Sequence, residues 1–184
     1  MLAKSLEFKT KRSFDVTLKE SFKFLGIDKD PLVRKMVSLL MRDGKRPKAE
    51  KVLYKAFESI DEDFPGRSLH IFYYGLFEAR RDIGIRLKPK PKKRRNVTIY
   101  NSYVPYRISP ICGLHLGMRA LLKASKERSS SLPFYVNLSQ ELVEASLGKG
   151  DVVAKRYRLN ILAESNKRKV HLGVRHTFPL IFEF

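Results

Sequence analysis

From Asp30 onward apolar residues recur at steps of three and four rather than in alternation, and that period most constrains what the chain can fold into. Leu32/Val33, Met36/Val37 and Leu40/Met41 form one stripe, and Ala49, Val52/Leu53, Ala56/Phe57 and Ile60 a second. Leu69, Phe72/Tyr73, Leu76/Phe77 and Ile83 form a third. The punctuation is helical as well. Asp30-Pro31 is an N-cap followed by proline at the first helical position, Gly44 supplies a stop, Pro47 opens the second helix, and the third ends near Gly84. Residues 61–66 read as the intervening loop. Met36, Val37, Phe57 and Phe77 are expected in the core that these helices share.

Further along, Ser109-Pro110 caps a fourth helix with Leu114, Met118, Leu121/Leu122 and Ser125 on one face. The serines at 129–131 form a linker, and Pro133 begins a fifth helix that uses Leu138, Leu142 and Ala145 and stops at Gly148. Gly150-Asp151 starts a sixth, reaching about Val170. Between the third and fourth helices the character changes. RLKPKPKKRR (86–95) has seven basic residues in ten, no acid, and two prolines that forbid a regular helix. NVTIYNSYVPYRISP (96–110) follows, rich in β-branched and aromatic residues, and predicts strands near 97–100 and 103–108 about Asn101-Ser102. The expected fold is all-α: a single six-helix bundle-like domain over 30–176, with a protruding β-hairpin arm at about 86–108. A basic N-terminal tail (1–29), with a short helix around Leu18 to Leu25, precedes it, and an apolar C-terminal extension (177–184) follows.

Charge narrows the partner. Lys and Arg number 38 against 19 acidic residues, a formal net charge of +19, which attracts polyanions because each neutralised phosphate releases condensed counterions. No apolar run approaches a membrane-spanning length and the basic residues are spread over several segments, so nucleic acid is favoured over an acidic membrane surface. Cys112 is the only cysteine, which excludes an intramolecular disulfide and fits a reducing compartment. The basic N-terminus carries Glu7, Asp15 and Glu20, which count against a transit peptide and favour a tail that orders on RNA.

Three basic groups are the candidate RNA contacts. In the arm Lys92, Lys93, Arg94, Arg95 and Arg107 would hold the backbone, while Tyr100, Tyr103 and Tyr106 offer rings on which unpaired bases stack. Arg34, Lys35, Arg42, Lys45, Arg46 and Lys48 surround the first helix and its turn, where N–H groups opening the second helix can hold a phosphate. Lys149, Lys155, Arg156 and Arg158 cluster at the start of the sixth helix, where cations sit unfavourably unless an anion compensates. Catalytic readings are weak. Asp61-Glu62-Asp63 reads as an exposed acidic loop rather than a magnesium site, and Cys112 with His115 lacks a second ligand pair, so both are expected to contribute to packing. His171 and His176 have no partner set, and there is no P-loop, GxGxxG or nucleophile elbow. Neither an enzyme, a cofactor nor a metal is expected.

DPLVRKMVSLLMRDGKRPKAEKVLYKAFESI (30–60), PYRISPICGLHLGMRALLKASKERS (105–129), ELVEASLGKGDVVAKR (141–156) and AESNKRKVH (163–171) together resemble the bacterial-type small-subunit ribosomal protein seven family. The similarity covers about residues 30–176. The resemblance implies an all-helical domain with a hairpin arm that binds the 3′ major domain of small-subunit ribosomal RNA and nucleates assembly of the head. It also implies an arm and last helix near the exit-site transfer RNA and messenger path, beside ribosomal protein eleven, with no membrane contact and no homo-oligomer. At matching positions, Lys45, Arg94, Arg95, Arg119, Lys155 and Arg156 are the implied RNA contacts. The chain departs from the family where it has Asn96-Val97 in place of a paired glycine and Ile111-Cys112-Gly113 in place of arginines. Residues 61–68, the serine linker and the stretch beyond His176 also differ. Such drift points to an organellar, mitochondrial small subunit, with a plastid or bacterial ribosome as the alternatives. A free RNA-binding translational regulator is the competing function; recovery in free complexes instead of small subunits would single it out.

Overall fold

Asp30 accepts a hydrogen bond from the Leu32 amide (2.8 Å), and Pro31 follows with its φ already suited to a helix, so α1 spans Pro31–Leu40 as the capping chemistry requires. The computed structural model describes residues 29–87, 103–128 and 131–172, and every element below is counted among them. After α1 come α2 (Arg46–Asp63), α3 (Ser68–Ala79), β1 (Ile83–Leu87), β2 (Tyr103–Arg107), α4 (Pro110–Glu127), α5 (Phe134–Ser146) and α6 (Asp151–Ser165). A 3-10 helix, Lys167–Leu172, closes the described chain. The fold is thus mostly helical, with one two-stranded antiparallel hairpin.

α5 is the centre of the bundle and packs on α2, α3 and α4. Its Leu138 and Leu142 are fully buried, as are Met36 of α1, Leu53 and Phe57 of α2, Phe72 and Leu76 of α3, Met118 and Leu121 of α4, and Val153 of α6. The Phe57 and Phe72 rings meet edge-to-face, with centroids 5.4 Å apart, the geometry that aromatic quadrupoles favour. α4 approaches the end of α3 closely. A Cβ on Gly113 would lie 2.3 Å from the Arg81 carbonyl oxygen, and one on Gly117 2.8 Å from that of Ala79, so only glycine fits at this crossing. Gly113, the last residue of the Ile111-Cys112-Gly113 departure, stands at this close approach.

Several expectations are corrected. α3 ends at Ala79 and does not reach Gly84: Arg80 turns extended (ψ 137°), and Ile83 and Gly84 belong to β1. Ile83 sits seven residues after Leu76, a helical spacing that conceals the break. β2 covers the 103–108 prediction and pairs with β1, Ile83 opposite Arg107 and Leu87 opposite Tyr103; the strand predicted at 97–100 lies outside the described residues. Phe77 is 57% exposed, whereas Met36, Val37 and Phe57 are buried as expected.

Residues 61–63 are helical, not loop. Asp61 accepts from the Ser68 amide (3.2 Å) and hydroxyl (3.0 Å), tying the end of α2 to the start of α3. The first helix stops at Leu40, short of Met41, which is exposed. Cys112 is exposed rather than packed, and α6 gives way to the 3-10 helix at Ser165 instead of continuing to Val170. The tail with the short helix expected around Leu18 to Leu25, the arm tip and the C-terminal extension fall outside the described residues.

Candidate nucleic-acid interface

The turn between α1 and α2 brings Arg42, Lys45 and Lys48, with the acid Asp43 among them, to the rim of a groove of about 430 Å³. Leu39, Leu40, Ala49, Val52 and Phe134 give it an apolar floor. Lys126 of α4 joins that rim, a cation that the sequence reading missed. It lies on the outer face of α4, where nothing local distinguishes it from a solubilising lysine; only the tertiary approach of α4 to this turn recruits it. α2 opens at Arg46 with no side-chain cap and no acid in its first turn, so the positive end of its dipole reinforces the cations. Part of the charge is engaged: Arg46 Nε donates to Glu50 (2.7 Å), and Lys45 lies 3.9 Å from Asp43. Arg34 is exposed on α1 and Lys35 half-buried.

At the start of α6 the compensating anions are the protein's own. Lys155 Nζ lies 3.3 Å from Asp151 within the helix, and Arg156 Nη2 donates to Glu78 of α3 (2.9 Å). The electrostatic misfit read from the sequence is thus offset internally, and Arg156 is a tie between helices. Lys149, Lys155 and Arg158 are exposed.

Arg119 is exposed on α4 and Arg107 at the end of β2, while Lys92, Lys93, Arg94, Arg95 and Tyr100 lie outside the described residues. Tyr103 and Tyr106 are half-buried. The Tyr106 ring covers Gly84, where a Cβ would stand 2.5 Å from its Cζ, and the Arg86 guanidinium lies 5.2 Å from the ring centroid. Part of the Tyr106 ring is therefore covered by β1 itself. The basic groups among the described residues lie on separate elements.

A different chemistry marks the junction of α4, α5 and α6. Arg128 bonds Glu144 and lies 3.8 Å from Glu141, whose side chain is almost fully buried. Burial pushes the Glu141 carboxyl up from its ordinary value, against the weaker pull of Arg128. The Glu144 carboxylate raises the Arg128 guanidinium, holding it charged. Among the described residues no His, Cys, Asp and Glu group is arranged to hold a metal ion, and no helix is long and apolar enough to cross a membrane.

The sequence model of the family described as ribosomal protein S7p/S5e matches residues 9–167. The small ribosomal subunit protein uS7 of Cupriavidus necator is 32% identical over 139 residues, covering 76% of this chain and 84% of that protein. That of Ralstonia pickettii gives the same figures of 32%, 139 residues, 76% and 84%. The uS7 of Shewanella sediminis is 32% identical over 140 residues, 76% of this chain and 85% of its own. A match over most of the chain, joined to a helical bundle carrying a two-stranded hairpin, places it: this chain belongs to the ribosomal protein S7p/S5e family.

Proposed function

We propose that the chain is a structural constituent of the small ribosomal subunit that binds ribosomal RNA by contact and turns over no substrate. Its family membership carries this reading, since the relatives are named as small-subunit proteins. The dispersed charge of +19 and the cationic rim at the α1–α2 turn support it.

The finer reading follows the same line. The helical domain over 30–176 binds the 3′ major domain and nucleates the head, with the arm at about 86–108 reaching toward exit-site transfer RNA and messenger beside protein eleven. The tail (1–29) orders on RNA, the apolar extension (177–184) docks, and the ribosome is mitochondrial. Arg34, Lys35, Arg42, Lys45, Arg46, Lys48, Arg119, Lys149, Lys155 and Arg158 touch phosphate, together with Lys92, Lys93, Arg94, Arg95 and Arg107 of the arm, and the Tyr103 ring takes an unpaired base. Arg156, tied to Glu78, serves by fixing α6 in place.

Binding to a 3′ major domain RNA fragment, followed across salt concentration, tests the RNA reading. A broad footprint gives a log–log slope steeper than about −3, because several phosphates are neutralised together. A shallower slope, or equal binding to an unrelated duplex, would contradict it.

A further inference from the structure

Where α4, α5 and α6 meet, a pocket of about 490 Å³ is lined by Glu127, Glu141, Glu144 and Asp151, with Arg128 the cation among its lining residues. Such a concentration of carboxylate runs against the field of a chain carrying +19. Arg128 sits on Glu144 and 3.8 Å from Glu141, Lys123 lies 3.6 Å from Glu127 and Lys155 3.3 Å from Asp151, so three cations face four carboxylates and one negative charge is left over. Glu141 is 3% exposed, and its Oε1 has no hydrogen-bond partner. That oxygen lies 3.6 Å from where a Cβ on Gly150 would stand, so it is aimed at the wall that Gly150 gives the pocket. A buried carboxylate oxygen without a donor is destabilising until one reaches it.

The lining decides what can enter. Phosphate is repelled by these carboxylates, and among the described residues none is grouped to hold a metal ion, which leaves an organic cation. Ala124 and Ala154 complete the walls with small apolar surface that a methylene stem can lie against. A planar guanidinium presents several donors in a fixed fork, which suits carboxylates approaching from different helices better than a compact ammonium does. We propose that this pocket receives an arginine side chain of a basic protein partner, its guanidinium donating to Glu141 Oε1 and to the Glu127 or Asp151 carboxylate at the mouth. The surface is distinct from the cationic rim at the α1–α2 turn, and the proposal does not depend on the ribosomal role, because binding is read on the isolated chain.

The test titrates the full-length, isotope-labelled chain with acetyl-tetra-arginine amide and follows the amide resonances of Ala124, Gly150 and Ala154. Saturable shifts at those three amides are expected, with weaker binding of acetyl-tetra-lysine amide. Glu127→Gln combined with Asp151→Asn should weaken the arginine peptide by about tenfold or more, the loss of charge-assisted hydrogen bonds. Both residues are at the pocket mouth, so this variant keeps the test valid even where Glu141→Gln fails to fold; circular dichroism verifies each protein. Absent shifts, variants that bind like the wild type, or equal affinity for the lysine peptide would overturn the proposal. Spermine binding at the same amides as tightly as the arginine peptide would overturn it in favour of a small-polyamine site.

Discussion

Arg156 of α6 donates from Nη2 to the Glu78 carboxylate of α3 across 2.9 Å, while its Nη1 lies 3.4 Å from the Phe77 carbonyl oxygen. The two side chains are 21% and 40% exposed, so the pair is screened only in part. Arg156→Ala is expected to lower stability by about 1–2 kcal/mol, with a coupling to Glu78→Gln of about 0.5–1 kcal/mol in a double-mutant cycle read by urea unfolding. Unchanged stability with weakened RNA binding would instead make Arg156 a phosphate contact.

Phe57 is fully buried against Phe72, whereas Phe77 is 57% exposed. Phe57→Ala should destabilise by about 3–5 kcal/mol, the cost of emptying a buried aromatic site. Phe77→Ala should stay within about 1 kcal/mol. Thermal melts that ranked the two the other way round would overturn the helical register of α2 and α3.

The Gly113 crossing admits no side chain, because the atom a Cβ would strike is the Arg81 backbone carbonyl oxygen. Gly113→Ala should therefore cost about 1–3 kcal/mol, since backbone and not a rotamer must move. Gly84→Ala meets only the far end of the Tyr106 ring, which can turn aside. Chemical unfolding of the two variants should place Gly113→Ala lower; the reverse order would contradict this packing.

Glu141 is raised by burial, which fixes a pH dependence. A carboxyl whose folded value exceeds its unfolded value contributes stability that is fully present below the unfolded value and is lost as pH rises through the folded one. Glu141→Gln, which cannot ionise, should match the wild type in acid and exceed it in stability toward neutral pH. A wild type that became the more stable of the two as pH rose would mean that Arg128 outweighs desolvation.

The caps and stripes were legible because they are local: Asp30-Pro31, Ser109-Pro110 and the α2 stripe through Phe57 mark elements that the structure contains. The misses are tertiary. Leu76 and Phe77 are adjacent candidates for one buried position, and only the neighbours of α3 decide that Leu76 faces inward. Ile83 fits a helical stripe and a strand equally well, and its pairing with Arg107 settles the matter from another segment. The anions beside Lys155 and Arg156 illustrate the same limit at the candidate site. Asp151 stands at a readable four-residue spacing, while Glu78 is remote in sequence and reaches Arg156 only through the packing of α3 on α6.

The measurement that bears most directly on the assignment is sucrose-gradient fractionation of ribosomes from the source cells, with quantitative mass spectrometry of each fraction. Peptides of this chain are expected to co-sediment with the small subunit, at a constant ratio to its other proteins and resistant to a moderate-salt wash. Recovery mainly in light fractions, as free RNA complexes with no fixed ratio to small-subunit proteins, would contradict a structural role in the ribosome.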